Sequence, residues 1–212
     1  MTPASPLDAF LHAIPKVELH CHLFGTVRHS TFSDLNRRAG SPLAQEEIEG
    51  FYTRGEKPVG VLRVLRALDA QLVGTPDDLH RLAYEYLQDA AGHNVRYAEF
   101  FWNPTGTVHA SGIPYRAAQE AIVRAIHDAE RDWRITGRLI AAIDREASPK
   151  AAVEMVDWVL ANRREAEVIG IGIDYREVDR PPELFAQAYQ RARRAGLKTT
   201  AHAGEFGMPW TN

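Results

Sequence analysis

The chain has 212 residues, 45% of them apolar and 25% charged, with a formal net charge of −3. This length and apolar share suffice to bury one large core, so residues 1–212 are expected to form a single domain, and the interspersed charges leave no basic field for a nucleic-acid partner. Cys21 is the only cysteine, which excludes an intramolecular disulfide framework; the lack of a basic, apolar leader before Pro15 and of any run of about 18 apolar residues argues against a secretory signal or a membrane span, so a cytoplasmic location is expected.

In chain order, Ser5-Pro6 followed by Leu7, Phe10 and Leu11 has the cap chemistry of a short helix that Pro15 stops. Val17 to His22 reads as a strand, and Gly25 opens the loop behind it. A helix carrying Phe32 and Leu35 ends at Gly40. Residues 41–60 are polar and broken by Gly and Pro, whereas Val61, Val64, Leu65, Leu68 and Leu72 recur at helical spacing. Thr75-Pro76-Asp77-Asp78 supplies a cap, a proline and two acids for the next helix, which Gly92 ends. Val95 to Trp102 reads as the second strand. A helix from about Pro114 to Trp133, a strand Leu139 to Ile143 and a helix after Ser148-Pro149 follow, then a strand Val168 to Ile173, a helix from Pro182 to Ala195 and a strand Leu197 to His202. Strands that alternate with helices imply a parallel sheet, either doubly wound or a (β/α)8 barrel, and periodicity does not separate the two. No glycine-rich phosphate fingerprint follows the first strand, which lowers the dinucleotide-binding reading.

His20 and His22 stand two apart at the end of the first strand, so both imidazoles share a face while Cys21 points away. Two imidazoles on a rigid strand suit a divalent ion, with zinc the first choice. The pair alone is weak evidence: nine histidines scattered over 212 positions would give roughly 0.4 such pairs. His202-Ala203-Gly204-Glu205 ends the fifth strand, and barrel enzymes build their sites from the C-terminal ends of several strands. If the barrel is real, His20, His22 and His202 converge, and three protein ligands plus an open position is the usual count for a catalytic zinc. Glu205 is near enough to move protons without being a ligand.

Pro15-Lys16-Val17-Glu18-Leu19-His20-Cys21-His22-Leu23 with Gly25-Thr26 resembles the opening motif of the adenosine deaminase family, and His202-Ala203-Gly204-Glu205 resembles its second motif. Thr75-Pro76-Asp77-Asp78-Leu79, Ala83-Tyr84, Val95-Arg96-Tyr97-Ala98-Glu99 and Gly172-Ile173-Asp174 are similar to family landmarks in the same order. The resemblance, to adenosine and adenine deaminases of the amidohydrolase superfamily, implies an α/β fold, a (β/α)8 TIM barrel of which this chain supplies about the first five strands. It further implies one Zn2+ per chain on His20, His22 and His202, and Glu205 as the group that protonates the purine ring nitrogen beside the reacting carbon. The implied reaction is hydrolytic deamination of a 6-aminopurine with release of ammonia, on a small-molecule purine base or nucleoside.

Two departures bear on the substrate. Phe24 stands where adenosine-specific members commonly carry an acid that contacts the sugar, and Asp174-Tyr175-Arg176-Glu177-Val178 lacks the glycine with which those members approach the purine. The first puts plain adenosine in doubt, the loop looks closer to the adenine-deaminase-like branch, and Phe101-Trp102 offers an aromatic wall suited to a free base or an N6-substituted purine. The family's later histidine and zinc-binding aspartate have no counterpart here. Asp144 and Asp174 also end strands but lack that aspartate's context, and Pro209-Trp210-Thr211-Asn212 reads as the start of a further helix, so the barrel domain is expected to be incomplete. The competing readings are another zinc amidohydrolase on the same barrel, and a metal-binding or regulatory module without turnover.

Overall fold

Helix starts are set by local capping. In the computed structural model, which describes residues 5–53 and 61–205, Ser5 and Thr75 accept hydrogen bonds from the backbone N–H of Asp8 and Asp78, and both acids bond back to the cap residue. Ser148 caps a third helix in the same way, by accepting from Ala151 N–H, and proline opens all three helices.

The elements follow as helix α1 (Pro6–Ala13), strand β1 (Lys16–His22), a 3-10 turn over Leu23–Thr26, then α2 (His29–Arg38), α3 (Gln45–Tyr52) and α4 (Val61–Ala67). α4 runs into a π-helical turn over Leu68–Leu72, ahead of α5 (Pro76–Gly92) and β2 (Val95–Trp102). α6 (Pro104–Ser111), α7 (Tyr115–Trp133), β3 (Thr136–Asp144), α8 (Pro149–Ala161) and β4 (Val168–Asp174) come next. A 3-10 turn over Pro182–Phe185 leads into α9 (Ala186–Arg194), and β5 is Lys198–Thr199.

Three of these differ from the sequence expectation. α3 lies in the stretch read as irregular, α6 was not expected at all, and β5 is shorter than Leu197 to His202. The fifth strand's pairing nonetheless continues past Thr199, because Thr200 N–H and His202 N–H donate to the carbonyls of Ile171 and Ile173 at 3.0 and 3.1 Å. The side chains of Val61 and Val64 and the expected helix start at Pro209 to Asn212 lie outside the described residues.

All strand pairs are parallel and the order is β1-β2-β3-β4-β5. A doubly wound sheet reverses its strand order part-way, and a barrel does not, so this order gives the first five strands of a (β/α)8 barrel. The helices cover one face. There Phe100 and Trp102 of β2, Leu139, Ala141 and Ile143 of β3, and Ile171 and Ile173 of β4 share one core with Leu79, Ile122, Ile126, Met155 and Phe185. The opposite, inner face has a smaller apolar cluster of Phe101, Ile140 and Ala142. The period of two therefore separates Phe101 from its neighbours Phe100 and Trp102.

Candidate metal centre

The register aligns the C-terminal ends of the strands on one rim: His22 pairs with Phe101, Ala142 with Gly172 and Asp144 with Asp174, and β4 then receives His202. Cys21 points outward and packs on the helix-covered core, as the alternation requires. His20 and His22 point inward, and His202 reaches them across the inner face. His202 Nε2 lies 2.7 Å from His20 Nε2 and 3.0 Å from His22 Nε2. Phe101 forms the floor, with its ring centroid 5.2, 5.3 and 5.6 Å from those of His20, His22 and His202. Gly172 makes room for that ring, since a Cβ there would sit 2.8 Å from Phe101 Cε1.

The opposite ring nitrogens decide what the cluster can hold. His202 Nδ1 is 2.8 Å from the carbonyl of Ile173, an acceptor only, so this nitrogen carries the proton. His22 Nδ1 is 3.2 Å from Asp174 Oδ2, and that carboxylate fixes the same tautomer. Both Nε2 atoms are then left as lone pairs that face one another and His20 Nε2. Nitrogen lone pairs at such distances repel unless a cation lies among them, and three imidazoles are a donor set suited to a borderline divalent metal. The donor set therefore fits the metal that the strand-end motif implies. Protonation is disfavoured at His20, whose pKa is held below the ordinary imidazole value, first by burial and then by His202 and His22, with partial offset from Glu18 and Glu205.

Asp174 is the functional neighbour that sequence reasoning passed over. It is buried, orients His22, and accepts a hydrogen bond from Asn103 Nδ2 at 2.6 Å. Asp144 does something else: it forms a two-pronged pair with Arg66 at 2.5 and 2.8 Å. Tyr175, next to Asp174, has a left-handed backbone (φ 66) and is held by its hydroxyl, which donates to Asp69 Oδ2 at 3.2 Å, and by the Arg66 guanidinium, 3.7 Å above its ring. Burial pushes the Asp69 carboxyl up to about 7, against the hydrogen bonds from Thr107 and Tyr175. Glu205 is exposed on the turn after His202. The expected aromatic wall is half right in its placement: Phe101 faces the imidazoles, but Trp102 faces the outer core, where it stacks on Tyr115 and donates to Thr107 Oγ1 at 3.1 Å. Phe24 is buried in that same outer core.

The sequence profile described as adenosine deaminase matches residues 15–211, nearly the whole of the chain. The chain belongs to the adenosine deaminase family. Among curated family members, the adenine deaminase of Rhodospirillum rubrum is 35% identical over 204 residues, covering 95% of this chain and 60% of the relative. Among solved structures, an amidohydrolase from Burkholderia ambifaria with bound zinc is 66% identical with a TM-score of 0.93, covering 98% of this chain and 57% of that one. Arabidopsis ADAL, solved in complex with IMP, is 26% identical with a TM-score of 0.81, covering 95% of this chain and 62% of that one. The chain thus spans about 60% of the length of the family members it matches. Among the described residues no helix is long and apolar enough to cross a membrane.

Proposed function

We propose that this chain carries the zinc-binding half of a hydrolase that deaminates a 6-aminopurine, within one barrel domain completed by further strands. One Zn2+ would be held by His20, His22 and His202. The observation that carries the reading is the convergence of three imidazoles, two with their opposite nitrogens committed to a carbonyl and a carboxylate. Water and the aminopurine give an oxopurine and ammonia. Zinc at this place supplies Lewis acidity that makes water a nucleophile near neutral pH. Glu205, three residues beyond His202 on the same rim, gives a proton to the ring nitrogen beside the reacting carbon, which lets that carbon become tetrahedral, and Phe101 keeps the floor of the site apolar.

The favoured substrate is adenine or a modified adenine compound rather than adenosine. Phe24 has no acceptor for a sugar hydroxyl and lies in the outer core, and the relatives with which the chain aligns include adenine deaminases at 31–35% identity. In the full-length, zinc-loaded protein, Glu205→Gln keeps the zinc but lowers turnover by at least about 100-fold, the scale of a general acid-base. Turnover near the wild-type rate would reduce Glu205 to a loop residue. Adenine should exceed adenosine in kcat/KM, and a tenfold or greater preference for adenosine would overturn the substrate assignment.

A further inference from the structure

We infer that Arg145 and Glu177 are positioning residues that clamp the His202–Glu205 turn and so aim the Glu205 carboxyl, an assignment that rests on the acid-base role proposed for Glu205. Arg145 directly follows β3 and Glu177 lies in the loop after β4, and their side chains are only 4% and 2% exposed. Arg145 Nη1 lies 3.1 Å from Glu177 Oε1. The same guanidinium donates through Nη2 to the carbonyl of His202 at 2.7 Å, and Glu177 Oε1 accepts from the Gly204 N–H at 2.8 Å. The two poles of the pair thus hold the two backbone groups that flank Ala203, one accepting and one donating.

Among the described residues, little else holds the turn. His202 N–H makes the last strand-type bond to β4, and among the described residues no backbone hydrogen bond fixes 203–205. Gly204 adopts φ 78, the left-handed region, so the chain reverses here where side chains rarely allow it. The clamp is itself anchored: Arg145 N–H donates to the carbonyl of Asp174 at 3.1 Å, the Arg145 carbonyl accepts from Arg180 Nε at 2.7 Å, and Arg180 Nη2 also reaches the Ala147 carbonyl. The residue that orients His22 and the pair that orients the Glu205 turn therefore meet at the adjacent ends of β3 and β4.

A buried ion pair adds little net stability compared with an apolar pair of similar volume, so this one is best understood by the geometry it imposes. Catalytic groups must be held to a fraction of an ångström, and misplacement by about 1 Å costs on the order of 100-fold in rate. His202 does not depend on the clamp for its own placement, since Ile173 binds both its N–H and its Nδ1. Loss of the pair should therefore spare the metal and disturb the proton transfer.

The test combines kinetics with amide exchange in the full-length, zinc-loaded protein. Arg145→Met is expected to lower kcat by about 10- to 100-fold with KM within about threefold and zinc per chain unchanged. Arg145→Lys, which keeps the charge and the fold but not the fork, should fall in the same direction. Glu177→Gln, which retains an acceptor for Gly204, should recover most of the rate, whereas Glu177→Leu should not. Exchange of the Gly204 amide should rise at least about tenfold in Glu177→Leu while the amides of β4 stay protected. In a Glu205→Gln background the Arg145→Met loss should shrink to less than about twofold, because the clamp acts through a group already disabled. Equal losses in both backgrounds, or unchanged exchange at Gly204, would overturn the clamp and leave the role of Glu205 standing. A fully active Glu205→Gln would instead remove the reading on which the clamp depends.

Discussion

A ligating imidazole is oriented and made more basic when its other nitrogen donates a hydrogen bond, and here His202 is committed to the Ile173 carbonyl and His22 to the Asp174 carboxylate. Asp174→Asn leaves an oxygen to accept from His22 Nδ1 but removes the charge, so zinc affinity should fall by about 10- to 100-fold in competition with a chelator. Unchanged affinity would show that the carboxylate is only a structural cap. The three histidines were legible in the sequence because a period of two and a strand-end motif are local signals. Asp174 was not, because its partner lies on β1, with two strands between them in the hydrogen-bonded order β1-β2-β3-β4, and only the curvature of the sheet brings them together. Arg145 and Glu177 were hidden for the same reason: charged residues after strands read as solvated until their burial is known.

At the scale of elements, β2 and β4 meet under the three imidazoles through Phe101 and Gly172. Gly172→Ala puts a Cβ 2.8 Å from Phe101 Cε1 and should destabilise the fold by about 1–3 kcal/mol while displacing the ring from the imidazoles. Denaturant unfolding measures this, and Phe101→Leu in the same chain should recover part of the loss; a Gly172→Ala protein of wild-type stability would contradict the packing. Most helices and strands were legible from capping and periodicity. α3 was not, because its apolar stripe is a single i, i+3, i+4 group, Ile48, Phe51 and Tyr52, with Gly50 inside it and only eight residues to carry it. α6 was hidden differently: it buries Pro104, Thr105 and Thr107, and is held by the Thr107 hydroxyl donating to Asp69 Oδ1 at 3.0 Å, a polar attachment that no hydrophobic period reveals. Two consecutive aromatics at a strand end cannot both point inward, so the expected wall keeps Phe101 while Trp102 joins the outer core.

At the scale of the whole molecule, the sheet order puts β1 and β5 at its edges, and large apolar side chains are uncovered near the first edge. Val17 and Leu19 of β1 are 62% and 57% exposed, and Leu7, Phe10 and Leu11 of the preceding α1 are exposed as well. Unpaired strand edges next to exposed apolar groups favour association. Residues 1–212 by themselves should be oligomeric or poorly soluble in light scattering and release no ammonia from any 6-aminopurine; a monodisperse, active monomer would contradict this. The central claim is the three-histidine metal centre, and the most direct test is metal content by elemental analysis of the full-length protein beside its His20→Ala, His22→Ala and His202→Ala variants. The account predicts about one zinc per chain in the parent and loss of most of it in each variant. Unchanged zinc in all three variants would contradict it.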